Sequence, residues 1–147
     1  MYQRILVATD GSKLSNQAVE HALKLADATG AEVVALKVVP RYPQTYFEGG
    51  VALAAEEVKR IEKEWQAEAQ EVVNAVKAQG QKMTLKVKAT TVKSDLIAEA
   101  IIAAAKRHKA DLIVMASHGR RGLKRLLLGS ETQQVLTHSH IPVLVLR

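Results

Sequence analysis

Five short apolar runs, Arg4 to Thr9, Glu32 to Val39, Met83 to Thr91, Leu112 to Ala116 and Val143 to Leu146, alternate with stretches whose apolar residues recur every three or four positions. The runs have the length of buried strands and the intervening stretches have the period of amphipathic helices. A β-α-β-α-β-α-β-α-β order leaves few folds open. It predicts one doubly wound α/β domain over residues 1–147, with helices on both faces of a parallel sheet and right-handed crossovers. Ligands of such sheets bind beyond the strand C-termini, at the switch point.

Punctuation sharpens this reading. Asp10-Gly11-Ser12 is a turn with Ser12 as the expected N-cap of a helix carrying Leu14, Ala18, Ala22, Leu25 and Ala26, and Gly30 is expected to stop it. Pro40 and Pro43 end the second strand, and Arg41 to Gly50 has loop composition. From Val51, the series Val51, Ala54, Val58, Ile61, Trp65, Val72 and Val76 predicts a long helix to about Gln79, closed by Gly80, with Trp65 and the Val/Ile stripe in the core. Lysines 82, 86 and 88 around the third strand fit a sheet edge. Ser94 or Asp95 is expected to cap a helix to about His108, and Ser130 to Ser139 reads as a short last helix.

A chain of 147 residues without cysteine needs no disulfide and has no thiol chemistry. No apolar run reaches bilayer length and the first residues do not read as a signal peptide, so a soluble cytoplasmic protein is expected. The net charge of +6 suits acidic partners. Specific nucleic-acid binding is disfavoured because aromatics for stacking are scarce. Lys106 to Lys109, at a predicted helix C-terminus, are accounted for by the helix dipole.

The chemistry concentrates between Ala116 and Ser130, a glycine-punctuated loop that carries Arg120, Arg121, Lys124 and Arg125 and leads from a strand into a helix. Such a junction offers unpaired backbone N–H groups and the positive end of a dipole, which attract phosphate. Gly129-Ser130 would give amides and a hydroxyl to phosphates, while the plain alternative is a turn with a Ser cap. The chain has neither G-x-x-x-x-G-K-S/T nor a first-strand G-x-G-x-x-G. It also lacks a nucleophile elbow and the aspartate and lysine set of a phosphorylated receiver domain, so efficient catalysis is not indicated. His138-Ser-His140 has no Cys or carboxylate nearby in sequence and is read as surface rather than metal site.

Ala116-x-x-Gly119, nine residues, then Gly129-Ser130 resembles the ATP loop of the universal stress protein family, with alanine where that loop begins with glycine. Ile5-Leu-Val-Ala-Thr-Asp10-Gly-Ser12 and Ile141-Pro-Val-Leu-Val145 extend the likeness along nearly the whole chain. The resemblance implies a Rossmann-like five-stranded sheet in order 3-2-1-4-5, similar to the adenine nucleotide alpha hydrolase architecture, which sets the ends of strands one and four side by side. It implies a site formed by Ala8, Thr9, Asp10, Val38, Met115, Ala116, His118, Gly119, Arg120, Gly129, Ser130 and Glu131.

In that site Asp10 would accept from the adenine amino group, although an Asx-turn explains it equally well, and Val38 would contact the ring through its backbone. His118 either touches phosphate or shapes the loop. Glu131 places a carboxylate beside the expected phosphates, where magnesium or manganese would offset the repulsion. The implied function is a nucleotide-dependent regulator or sensor of stress responses, with ATP as ligand and slow hydrolysis at most. The alternatives are a weak ATPase or nucleotidyl enzyme of related fold and a nucleotide-free adaptor. Val143 to Leu146, an apolar edge without Lys or Pro, points to a homodimer through the last strand, the interface this family commonly uses.

Overall fold

A computed structural model describes residues 1–43, 54–119 and 128–147. The elements run β1 (Arg4–Ala8), α1 (Lys13–Thr29), β2 (Glu32–Val39), α2 (Ala55–Lys82), β3 (Val87–Lys93), α3 (Ile97–Arg107), β4 (Leu112–Ala116), α4 (Ser130–His138) and β5 (Val143–Leu146). The strands form one parallel sheet in the order β3-β2-β1-β4-β5.

Both sheet faces are buried, which is why the strands read as apolar runs rather than alternating ones. Because successive strand side chains point to opposite faces, Ile5 and Val7 join one cluster and Leu6 the other. The first cluster receives Ala18, Val19, Ala22, Leu23 and Ala26 from α1 and Val73 and Val76 from α2. The second receives Ala98, Ile101, Ala104 and Ala105 from α3 and Val135 from α4. Helices therefore cover both faces. No described helix is long and apolar enough to cross a membrane.

The local signals hold at α1. Ser12 Oγ accepts from Ser15 N at 3.3 Å, and Gly30 ends the helix at φ 75°, a left-handed conformation that glycine reaches without Cβ strain.

They fail at both ends of β3. Gly80 does not close α2, which continues to Lys82. It is buried in the helix, and a Cβ there would run into the Val87 side chain. Its role is to let the helix lie close on β3. Met83 to Lys86, expected as strand, instead make the reversal between α2 and β3, with Thr84 at φ 60°. At the other end neither Ser94 nor Asp95 caps α3. Ser94 Oγ accepts from Leu96 N at 3.0 Å and Asp95 Oδ1 accepts from Arg41 N at 2.9 Å, so both polar side chains are used in the turn before the helix.

Trp65 is also not core. It is half-buried on the N-terminal half of α2 and stacks on Tyr42, ring centroids 6.0 Å apart, whereas the buried stripe is Ala69, Val73, Val76 and Gly80. The expected helix start at Val51 and the 44–50 part of the expected loop lie outside the described residues.

Candidate functional site

Because the strands are parallel, β1, β2 and β4 all end at one edge of the sheet. Thr9 N donates to Leu36 O at 2.9 Å, carrying the β1–β2 ladder one residue past the strand. The Thr9 side chain then turns inward, sharing a hydrogen bond with Ser15 Oγ at 3.1 Å and accepting from Gly11 N at 3.2 Å. Asp10 Oδ1 accepts from Ser12 N at 2.9 Å, so the Asx-turn anticipated from Asp-Gly-Ser is formed. This leaves Asp10 half-exposed at the start of α1.

Across the sheet, β4 delivers Met115 and Ala116, 6% and 8% exposed, to the same edge. Ser117 N donates to Leu146 O at 2.6 Å and Ser117 O accepts from Gly129 N at 2.8 Å, which ties the end of β4 to both β5 and the start of α4. Thr132 locks this junction. Its buried hydroxyl reaches Ala116 O at 3.0 Å and Ser117 O at 3.1 Å. Sequence reasoning missed Thr132; its signal was a hydroxyl residue one turn into a helix that follows a glycine.

The two halves meet at Gly119. A Cβ on this residue would lie 2.7 Å from Asp10 Oδ2, so the loop after β4 passes directly over the carboxylate that ends β1. That approach is open only to glycine while Asp10 holds its place. Gly129 is confined less severely but by backbone, since an added Cβ would be 3.3 Å from Ser117 O and 3.5 Å from His118 Cα. Its φ of −61° is accessible to any residue, so close packing, not a special turn conformation, restricts this position.

His118 Nδ1 shares a hydrogen bond with Ser117 Oγ at 3.1 Å, a loop-shaping contact. Ser130 Oγ donates to Glu131 Oε2 at 3.0 Å, and both residues are exposed in the first turn of α4. Gly129, not Ser130, occupies the N-cap position, and no side chain caps the helix. Ala8 and Val38 are half-buried and pack with Met115 on the α3–α4 side of the sheet. Arg120 and the other loop cations, Arg121, Lys124 and Arg125, lie outside the described residues.

The edge thus combines a carboxylate acceptor, a floor of Ala8, Val38 and Met115, and helix-start amides whose N–H groups have no intrahelical acceptor. Such a set suits a ligand with an amino-bearing ring at one end and an anionic group at the other. A cavity of about 730 Å³ opens elsewhere, between α2 and the end of β3, lined by Arg41, Tyr42, Val58, Glu62, Lys93 and Asp95. None of the described residues of the sequence-predicted site lines it. There the Lys93 ammonium, 2.5 Å from Glu62, holds that carboxyl below its usual range.

The family model described as universal stress protein family matches residues 1–147. A universal stress protein of Methanocaldococcus jannaschii is 36% identical over 149 residues, spanning 100% of this chain and 83% of the relative. The solved structure of protein MJ0577 from the same organism superposes with a TM-score of 0.77 at 29% identity, covering 99% of this chain and 96% of that one. A universal stress protein solved in complex with cAMP superposes with a TM-score of 0.72 at 25% identity, covering 99% and 97%.

Proposed function

The chain belongs to the universal stress protein family, and from that premise we propose that it acts as one domain that binds ATP at the β1–β4 edge and works as a nucleotide-dependent regulator or sensor in the cytoplasm. The observation that carries this reading is the approach of Gly119 to Asp10 Oδ2, which makes one crevice of the two best sequence motifs. Asp10, with Oδ1 held by Ser12 N–H, would accept from the adenine amino group through Oδ2. Ala8, Thr9, Val38 and Met115 would floor the ring, and Ala116, His118, Gly119, Arg120, Gly129, Ser130 and Glu131 would surround ribose and phosphates. Glu131 would hold magnesium or manganese against the phosphate chain.

The hydroxyl contacts of the described site residues, Ser117 Oγ with His118 Nδ1 and Ser130 Oγ with Glu131 Oε2, join chain neighbours and shape the loop and the helix start, which supports regulation over turnover, with slow hydrolysis at most. β5 supports a homodimer: among the described residues it pairs on one side only, with β4, and Leu144 is 39% exposed. Native mass spectrometry of freshly purified protein tests the nucleotide. Stoichiometric adenine nucleotide, or ATP binding by calorimetry, upholds it; no carried nucleotide and no binding at millimolar ATP leaves the nucleotide-free adaptor. A turnover assay with magnesium separates a regulator from a weak ATPase.

A second reading has its own support. The Ser130 hydroxyl is engaged by Glu131, so the first turn of α4 already faces a carboxylate, and the neighbour solved with cAMP holds a single phosphate. On this reading the resident ligand is an adenine monophosphate. Calorimetry with AMP, cAMP and ATP, each with and without magnesium, decides: AMP or cAMP tighter than ATP in magnesium selects the monophosphate.

A further inference from the structure

At the opposite end of the sheet, where the strands begin, cations from three elements converge on His108. Arg4 of β1 donates to His108 O at 2.8 Å. Burial, and then the charges of Lys88 on β3, Arg107 on α3 and Arg4, hold the His108 imidazole below its usual range. Lys106 and Lys109 flank it in sequence, and Lys88, Lys106, Arg107 and Lys109 are all exposed. The helix dipole explains cations in the last turn of α3. It does not explain Lys88, which arrives from a strand.

The carboxylates in this region are already committed. Glu32 is paired with Arg4 at 2.9 Å and Lys86 at 3.3 Å, and Asp111 accepts from Gln3 N at 2.9 Å and Arg4 N at 3.0 Å. Among the described residues no ion pair engages Lys88, Lys106, Arg107 or Lys109. A face of like charges without internal partners gains most from an external anion.

We propose that this face, built by Lys88, Lys106, Arg107 and Lys109 around His108, docks an acidic polypeptide segment of a partner protein. Three of the four free cations are lysines, flexible point charges that match carboxylates on an irregular segment. β1, β3 and α3 contain no aromatic residue on which nucleic-acid bases would stack. The face lies at the far end of the strands from the proposed nucleotide crevice and does not depend on it.

The test is fluorescence anisotropy of a labelled glutamate-rich peptide with the full chain at low salt. The triple variant Lys88→Gln, Arg107→Gln, Lys109→Gln is expected to weaken binding about tenfold or more, while Lys59→Gln with Lys63→Gln, at exposed positions of α2, leaves it unchanged. All three side chains of the triple variant are exposed, and thermal melts check its fold; Lys88→Gln alone, with a smaller loss, keeps the test open if it is impaired. In NMR, saturating peptide should raise the pH at which His108 titrates. Equal binding by the triple variant, loss in the Lys59 and Lys63 variant instead, or an unmoved His108 titration overturns the proposal. Displacement of the peptide by single-stranded DNA of the same charge, at lower concentration, overturns it in favour of a nucleic acid.

Discussion

Asp10 divides its two carboxylate oxygens: Oδ1 closes the turn into α1, and Oδ2 faces Gly119 across the crevice. Two different substitutions should therefore produce one phenotype. Asp10→Ala removes the acceptor, and Gly119→Ala places a methyl 2.7 Å from Oδ2 and pushes the carboxylate aside. Each is expected to weaken ATP by roughly tenfold and to narrow its discrimination from GTP, because guanine offers no amino group at that ring position. Calorimetry with both nucleotides checks this, and unchanged discrimination in either variant removes Asp10 from the ring site. Gly129→Val should cost more, about a hundredfold or loss of detectable binding, since the branched side chain would crowd Ser117 O and fill the space where phosphates approach. Wild-type affinity in a folded Gly129→Val protein would take the loop out of the site.

The elements most legible in the sequence were those whose period and punctuation agree. β2 and β5 match their sequence boundaries, and α1 is bracketed by a true Ser cap and a true glycine stop. The failures share a cause: a residue's role was decided by a partner distant in sequence. Gly80 looks like a helix stop until Val87 is seen against it, and Asp95 looks like a cap until Arg41 claims it. Thr132 went unnoticed because its carbonyl acceptors are more than a dozen residues away. Of the site, the sequence supplied Asp10, Gly119 and Gly129, but their contacts required the strand order.

Gly80 also gives a test at this scale. Alanine normally favours a helix over glycine by about 1 kcal/mol, yet Gly80→Ala is expected to destabilise the protein by about 1–3 kcal/mol because it overpacks the α2–β3 contact. Chemical denaturation measures this, and the double variant with Val87→Ala should recover part of the loss. A stabilised Gly80→Ala protein would refute the packing role.

For the whole molecule, acid should act in two stages. His108 titrates below its usual range, so the unfolded chain takes up a proton that the folded chain resists. Stability present at neutral pH is therefore expected to fall as pH drops through about 6.5 toward the lower folded value. Glu32, lowered by hydrogen bonds from Arg4 and Lys86, and Glu62, lowered by Lys93, add a second decline below about pH 4.5. Urea denaturation across this range should show both, and His108→Gln should flatten the first; an unchanged slope between pH 7.5 and 5.5 in the two proteins would contradict it.

The proposed dimer is tested at the same scale. Leu144→Pro, in the middle of β5, is expected to abolish dimerisation and lower stability by about 3 kcal/mol. Sedimentation of the intact chain as a monomer at about tens of micromolar would end that proposal.

The position of β1 at the centre of the sheet sets the timing of assembly. Its pairing with β2 closes early, but Ile5, Leu6 and Val7 meet Leu112, Ile113 and Val114 only after most of the chain has been made. A nascent polypeptide emerging from the ribosome therefore carries a half-built sheet, with an apolar strand edge, until β4 appears. The innermost strand of the finished protein is the one that needs guarding longest during synthesis, so a chain stalled before Leu112 would present a natural target for chaperones.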